Sequence, residues 1–461
     1  MTESNNPMDR PYEKEIRKLF YEQHLTLVIV DDDPTGTQTA NDVPVLGHWT
    51  EAAFIDEFKN KTPLFFVLAN TRSLPKAKAT ERAKEIGQNL QKAAEKMARR
   101  FMVISRSDST LRGYYPSEVE ALSQGAGLGN LPTLLIPAFF EGGRITEDNV
   151  HYIVEEGKKI PVSETVFARD KSFGFSHSDL TKWVEEKTAG RIKHEAVKSL
   201  SIPDIAQGEE VIFERLNALR AQDVMVVNNT TYKELEKTCL VLHKLIEKGN
   251  GFNFRTAASF VSAFSGMGPL AWVPRKNASP LGGLVIVGSY VKKSTSQLEV
   301  LLKKEGLKAI PLSVENIIYA EITNESFLKE ILENVESCMA SGTHAVVYTS
   351  RNLVSGANPE ESLAIGEKIT DFLVSLVNEI KTQPAFFIAK GGITSNDIAV
   401  KGLKMKKARV LGQIIPGVPV WEMGDETRFP GMPYVVYPGN VGDADSLAHV
   451  FELFTVNTNK K

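Results

Sequence analysis

Short, wholly apolar runs that each end in a small or polar residue recur along this chain, and they restrict its fold more than any other feature. LTLVIV runs into Asp31, PLFFVLAN into Thr71 and FMVIS into Arg106, while TLLIPAF ends near residue 139 and DVMVVNN near residue 229. Runs of that length without polar alternation read as strands buried on both faces. Helical patterns stand between them. The clearest is PKAKATERAKEIGQNLQKAAEKMARR, in which Ala79, Ala83, Ile86, Leu90, Ala94 and Met97 repeat at spacings of three and four. Strand alternating with helix predicts an α/β chain with a largely parallel sheet covered by helices.

A second series follows the loop-like FSGMGPLAWVPRKNASPLGG: LVIVGS (284–289), AVVYTS (345–350), AFFIAK (385–390) and YVVYPG (434–439). One helix there carries Ile365, Ile369, Phe372, Leu373, Leu376 and Ile380 on one face. A chain of 461 residues also exceeds what one hydrophobic core usually serves. The expectation is two domains, each a largely parallel sheet flanked by helices, with a ligand cleft between them. Their boundaries are read as an N-terminal extension over 1–24, a first domain over 25–265, a glycine- and proline-rich linker over 266–283 and a second domain over 284–461.

Composition narrows the partners. Lys and Arg number 54 against 57 Asp and Glu, a formal charge of −3, so the basic excess needed for a phosphate backbone is missing and nucleic acid is not expected. Cys239 and Cys338 are too few for a disulfide framework or a thiolate zinc site. The eight histidines show no ligand spacing, so no histidine metal site is assigned. The polar start, MTESNNPMDRPYEKEIRKLF, lacks the apolar core of a signal sequence, and no uncharged apolar run approaches the roughly 18 residues of a membrane span. A cytoplasmic protein without a membrane partner is expected, and homo-oligomerisation is compatible with everything above.

In parallel sheets ligands sit at the carboxyl ends of strands. In the first series those ends hold Asp31, Asp32, Asp33, Thr35 and Gly36, then Asn70, Thr71 and Arg72, then SRSDSTLRG (105–113) and PAFFEGGR (137–144). Carboxylates accept hydrogen bonds from sugar hydroxyls, and a guanidinium grips a carboxylate with two parallel bonds, so this mixture suits a polyhydroxy acid. The second series ends in GSYVKKSTSQ (288–297), KGGIT (390–394) and PGNVGDADS (438–446). Glycines there let backbone amides approach phosphate oxygens, which suits a nucleotide. The run KGLKMKKAR (401–409) could steer an anion by charge, but reads better as a solvated helix end.

Taken in order, these segments resemble the four-carbon acid sugar kinase family. DDDPTG resembles its opening Asp-Asp-x-Thr-Gly, SDSTLRG its Asp-Ser-Thr-Leu-Arg-Gly, and PAFFEGGR with PVSETVFARD the loops that follow. VGSYVKKSTSQ, AKGGITSND, IPGVPVW and PGNVGDADSL resemble the nucleotide-binding part. The resemblance implies a sugar acid in the first domain, ATP with its Mg2+ in the second, and phosphoryl transfer to the acid's terminal hydroxyl. Under that reading Arg112 and Arg144 hold the substrate carboxylate, and Asp32 and Asp33 orient hydroxyls. Asp33 or Asp108 accepts the proton, and Ser289, Gly391, Gly392, Ile393, Thr394 and Gly439 cradle the nucleotide. The chain departs from the pattern at Pro34, at Ile393, and at Tyr437-Pro438-Gly439.

Other readings compete. VIVDDDPTGT also fits the strand and D-x-D-x-T of haloacid dehalogenase phosphatases, with Asp31 as nucleophile and Asp33 as acid, supported by Thr349 or Ser350, by Lys390 and by GDADS. That reading needs an insertion of about 300 residues between motifs and leaves SDSTLRG, PAFFEGGR and GSYVKKSTSQ unexplained. A non-catalytic sugar-acid or nucleotide sensor is a third. The bland alternatives are a helix cap at Asp33–Thr35, a surface ion pair between Asp108 and Arg112, and a simple turn at Gly391–Gly392.

Overall fold

The computed structural model describes residues 6–268, 270–274, 279–289, 291–319, 324–351, 359–439 and 441–455. The chain divides into two compact units, residues 1–269 and 270–461. Each is described in turn.

Unit 1 contains β1 (Thr26–Asp31), β2 (Val43–Leu46), β3 (Leu64–Leu68), β4 (Phe101–Arg106), β5 (Thr133–Ile136), β6 (Arg144–Glu147), β7 (Val150–Glu155), β8 (Lys158–Pro161), β9 (Lys198–Leu200), β10 (Val224–Val227) and β11 (Asn253–Thr256). Its main sheet runs β2-β3-β1-β4-β11-β5-β10-β9 with parallel pairing throughout. β1 lies between β3 and β4, with Asp31 opposite both Leu68 and Arg106. The chain leaves β1 toward β3 on one side and continues from β4 on the other. The carboxyl ends of β1 and β4 therefore form the topological switch point, where such sheets open a crevice. β6, β7 and β8 make a separate antiparallel sheet.

The apolar runs are strands because both faces are covered: Leu27, Val28, Ile29, Phe65, Phe66 and Val67 are wholly buried. Helix Lys76–Met97 shows the expected stripe, with Ala79 buried and Ala83, Ile86, Leu90 and Ala94 buried in the core cluster with the sheet. Within the segment read as an extension, helix Glu13–Glu22 buries Ile16 and Phe20, and Arg10 donates to Glu236 at 2.8 Å. That segment is thus tied to the body of unit 1.

Unit 2 contains β12 (Leu284–Val287), β13 (Leu307–Leu312), β14 (His344–Thr349), β15 (Phe387–Lys390), β16 (Lys407–Ile415), β17 (Val418–Met423) and β18 (Pro433–Tyr437), in the order β13-β14-β12-β15-β18-β17-β16. Pairing is parallel from β13 to β18, and β17 runs antiparallel to both β16 and β18. The switch point lies between β12 and β15. Phe372, Leu373, Leu376 and Ile380 are buried as the helical stripe requires. The lysine-rich run differs from its reading as a helix end. It closes a π-helical turn, Ile398–Gly402, and then opens β16, with Leu403, Met405 and Ala408 buried between exposed cations. Within the segment read as a linker, Trp272 lies against the unit 2 core and Ala271 bridges to Gln413. Among the described residues no helix is long and apolar enough to cross a membrane.

Candidate functional site

At the switch point of unit 1 the first-strand aspartates take three different roles. Asp31 ends β1 with a fully buried side chain; its Oδ1 meets Arg106 Nη1 at 3.2 Å and accepts from the Asp33 amide at 3.1 Å. Gly36 is required beside it, because a Cβ there would lie 1.5 Å from Asp31 Oδ2. Asp32 turns to the other loop and accepts from the Asp108 amide at 3.2 Å. Asp33 caps a short 3-10 turn, Pro34–Thr39, accepting from the Thr35 amide at 2.8 Å and from the Thr35 hydroxyl. The capping role weighed as the bland reading is therefore real, but it occupies only Oδ1. Asp33 Oδ2 faces an arginine.

That arginine is Arg72, carried by the turn after β3. Its Nε lies 3.2 Å from Asp32 Oδ1, its Nη2 2.7 Å from Asp33 Oδ2 and its Nη1 3.5 Å from Asp108 Oδ1. The first and third contacts are ion pairs rather than well-formed hydrogen bonds; only the Asp33 contact is short. One guanidinium thus joins three carboxylates from two neighbouring strand ends.

The 107–113 loop is fixed from several sides. The Asp108 carboxylate takes the Arg112 fork, with Nε at 2.8 Å and Nη2 at 3.3 Å, and accepts from the Thr110 hydroxyl. Arg112 also lies over the Phe167 ring at 5.0 Å. Arg255, buried at the end of β11, donates to the carbonyls of Asp108 at 2.9 Å and Arg112 at 3.3 Å. His151, buried on β7, donates through Nε2 to the Ser109 carbonyl at 2.7 Å, which leaves Nδ1 to accept from the Thr146 hydroxyl. Burial pushes the His151 imidazole down to about 4, so it is neutral and its tautomer is fixed.

Burial and pairing set the carboxylates apart. Burial pushes Asp31 up to about 6, with Arg106 opposing, and Asp32 up to about 7, with Arg72 opposing. Burial acts the same way on Asp33, but Arg72 and the Thr35 bonds outweigh it and hold the carboxyl below its usual range. For Asp108, Arg112 and Arg72 outweigh burial by more, leaving it well below. The arrangement is a preorganised set of acceptors with two carboxylates held firmly ionised.

Of the residues expected in this domain, Asp32, Asp33 and Asp108 come together through Arg72, and Arg112 joins them through Asp108. Arg144 opens β6. Burial lowers its pKa, and Asp108 is the largest opposing influence. Its Nε is buried without a hydrogen-bond partner. Arg72 stood among the strand-end residues without a role. Arg106 was named only as the end of the FMVIS run, His151 and Arg255 were not singled out, and the only signal for Arg255 was a short run, FNFRT, with too few apolar residues to read as a strand.

In unit 2 the expected nucleotide residues converge on Ser289, just after β12. The Ser294 hydroxyl bonds Ser289 Oγ at 3.0 Å and the Gly439 carbonyl at 3.2 Å. Gly391 has φ +123°, and a Cβ there would lie 3.3 Å from Ser289 Cβ and Thr394 Oγ1. A Cβ at Gly439 would lie 3.4 Å from Ser289 Oγ. Bare backbone at the ends of β15 and β18 thus lies beside one hydroxyl at the end of β12, with the Ser289 and Gly391 amides bonded to the Lys390 and Tyr437 carbonyls. Gly392 and Thr394 belong to the short helix Gly392–Asp397 that follows. Ile393 shares that helix, and its side chain lies outside what the structure describes. Tyr290 and Asn440, within two of the motifs, lie outside the described residues.

Comparison with known proteins agrees with this division. Residues 27–264 match the family model of a sugar-binding N-terminal domain, and residues 284–447 that of a nucleotide-binding C-terminal domain. No curated protein matches the sequence. A Haemophilus influenzae protein of the DUF1537 family is similar in structure, with a TM-score of 0.62 and 17% identity over 93% of this chain and 100% of its own. A Salmonella typhimurium LT2 protein provisionally called a tRNA synthase has a TM-score of 0.65 and 14% identity over 93% of this chain and 98% of its own. At such identities these likenesses bear on the fold alone. The two family models, one after the other, cover most of the sequence, and the chain belongs to the DUF1537, or four-carbon acid sugar kinase, family, with a sugar-binding N-terminal domain and a nucleotide-binding C-terminal domain.

Proposed function

We propose that this protein is an ATP-dependent kinase that phosphorylates the terminal hydroxyl of a four-carbon acid sugar: threonate, erythronate, a 3-oxo-tetronate or a close relative. The observation that carries the reading is Arg72 joining Asp32, Asp33 and Asp108 at the switch point of the sugar-binding domain. Fixed acceptors of this kind suit vicinal hydroxyls. Arg144, whose Nε is buried and without a hydrogen-bond partner, suits the acid's carboxylate.

Asp33 is the proton acceptor in this reading. Its side chain is 17% exposed, the most open of the three first-strand aspartates, and only one of its oxygens is used by the cap. A carboxylate held below its usual range is a weak base, which is tolerable because phosphoryl transfer asks mainly for alignment and charge neutralisation. Asp108, taken up by the Arg112 fork, positions rather than accepts. The aspartates at the switch point of unit 1 do not fit a resident cation, since Asp31, Asp32, Asp33 and Asp108 each face an arginine. Mg2+ brought in with ATP would supply neutralisation of the charge on the phosphates. Ser289, the Gly391–Thr394 backbone and Gly439 would hold that nucleotide.

The phosphatase reading asks Asp31 to attack a phosphate, yet its side chain is fully buried and pinned by Arg106 and the Asp33 amide. An assay with ATP and Mg2+ across a panel of four-carbon acids tests the proposal. ADP formation dependent on one acid supports it. Phosphate release from sugar phosphates without ATP would overturn it.

A further inference from the structure

We infer that Lys390 and Arg351 are the charges by which unit 2 selects a phosphate chain: two cations without a carboxylate partner, placed on either side of Ser289 at the switch point. The inference deepens the nucleotide-binding reading of unit 2 and rests on it.

Lys390 ends β15, directly before the Gly391–Gly392 pair, and its side chain has no exposed surface. Its Nζ donates to the Pro438 carbonyl at 3.0 Å and sits 4.0 Å from the centre of the Tyr437 ring. Arg351 follows β14. It donates through Nη1 to the Ser289 carbonyl at 2.7 Å, and through Nη2 to the Thr349 carbonyl at 2.6 Å and hydroxyl at 2.7 Å. Ser289 joins the two, since its amide donates to the Lys390 carbonyl at 3.4 Å. Among the described residues no carboxylate forms an ion pair with either cation. Every acceptor they have is a carbonyl, a hydroxyl or an aromatic ring.

An ammonium taken out of water without a counter-charge is costly, and the arrangement persists when a bound anion supplies that charge. Ser289, Gly391 and Gly439 cluster beside these two cations; the Ser289 and Gly391 amides are already bonded to the Lys390 and Tyr437 carbonyls, so the charge offered to an anion is that of the two side chains. Burial, with Lys293 adding to it, pushes the Lys390 ammonium down to about 7. Lys293 and the Tyr437 ring bear on it, and neither offers a negative charge near neutrality. Phosphate binding should restore the proton. A lysine that merely props the Pro438 carbonyl would show no such coupling.

The test is calorimetric titration of the full-length protein with MgADP at pH 8 in two buffers of different ionisation heat, with adenosine as the uncharged control. Wild type should take up close to one proton per MgADP bound and none with adenosine. Lys390→Met should abolish the uptake and weaken MgADP roughly 10- to 100-fold, the worth of a charge-assisted bond, with adenosine affinity unchanged. Arg351→Met should weaken MgADP over a similar range and leave the uptake intact. MgADP binding to wild type without proton uptake overturns the role of Lys390, and it needs no variant to fold. An Arg351→Met protein that binds MgADP as wild type does overturns that of Arg351. If wild type binds no MgADP, the nucleotide-binding reading fails and carries the inference with it.

Discussion

The Arg112 guanidinium grips the Asp108 carboxylate with two bonds, Nε to Oδ2 at 2.8 Å and Nη2 to Oδ1 at 3.3 Å. An arginine whose fork is already filled by its own loop is poorly placed to clamp a substrate carboxylate as well. Arg144 lacks a carboxylate partner among the described residues, and its Nε is buried and unbonded. The two arginines can therefore be separated. Arg144→Lys keeps the charge but loses the planar fork, and affinity for the acid should fall roughly 10- to 150-fold. Arg112→Lys should lower the melting temperature while changing acid affinity by less than about tenfold, since its effect passes through Asp108. Titration of each variant with the best acid of the panel, beside its thermal melt, decides the assignment; the reverse order would return the clamp to Arg112.

Arg72 should be the most costly single loss in unit 1. Its removal leaves Asp32, Asp33 and Asp108 facing one another with less counter-charge, and breaking a buried pair from one side costs about 3 to 5 kcal/mol. The pH dependence has a definite sign. Arg72 holds Asp33, and Arg112 together with Arg72 holds Asp108, below their unfolded values, so their contribution is present above about pH 4 and is lost as pH falls below it. Urea titrations of wild type and Arg72→Met should show a gap that is wide at pH 7 and narrows toward pH 3. A gap independent of pH would mean that Arg72 acts by packing alone.

The opposite sign holds for Asp32. Burial raises its carboxyl to about 7, so the folded protein binds a proton that the unfolded chain releases near pH 4. Stability from this group is present below about pH 4 and is lost as pH rises to 7. Asp32→Asn removes that loss and should stabilise the ligand-free protein at pH 8 by on the order of 3 kcal/mol, while acid binding weakens because an acceptor is gone. Denaturation at pH 8 together with acid titration checks both halves. Destabilisation at pH 8 would mean that the ion pair with Arg72 outweighs the burial of Asp32.

Much of this architecture was legible because parallel strands covered on both faces must be continuous apolar runs, as LTLVIV, PLFFVLAN and LVIVGS are. The strands that escaped notice obey other constraints. β11, NFRT, has four residues, three of them polar; β16 begins in a lysine cluster that resembles a helix end. The candidate site was half legible for the same reason. Aspartates after β1 announce themselves, whereas Arg255 acts from a strand too short to recognise. The Arg72 role depends on β3 and β4 flanking β1, a fact of topology that no local pattern carries.

Asp31 separates the kinase from the phosphatase. In a phosphatase of the D-x-D type it would be the nucleophile, and Asp31→Asn would abolish turnover. Here its side chain has no exposed surface, its Oδ1 is shared by Arg106 and the Asp33 amide, and Gly36 is pressed against its Oδ2. An asparagine has the same shape and keeps an oxygen acceptor for those two donors. The loss is one charge opposite Arg106, and burial already pushes that carboxyl up to about 6, so little of the charge is retained at acid pH. Asp31→Asn should therefore keep ATP-dependent phosphorylation of the acid to within about tenfold, the equivalent of roughly 1.4 kcal/mol in the barrier. Asp33→Asn, by contrast, removes the proposed proton acceptor and should lose 100-fold or more, about the lower end for general-base catalysis. Initial rates of ADP formation for both variants, beside release of inorganic phosphate from the phosphorylated acid, give the comparison. Phosphate release that survives Asp33→Asn but vanishes in Asp31→Asn would establish Asp31 as the nucleophile and end the kinase reading.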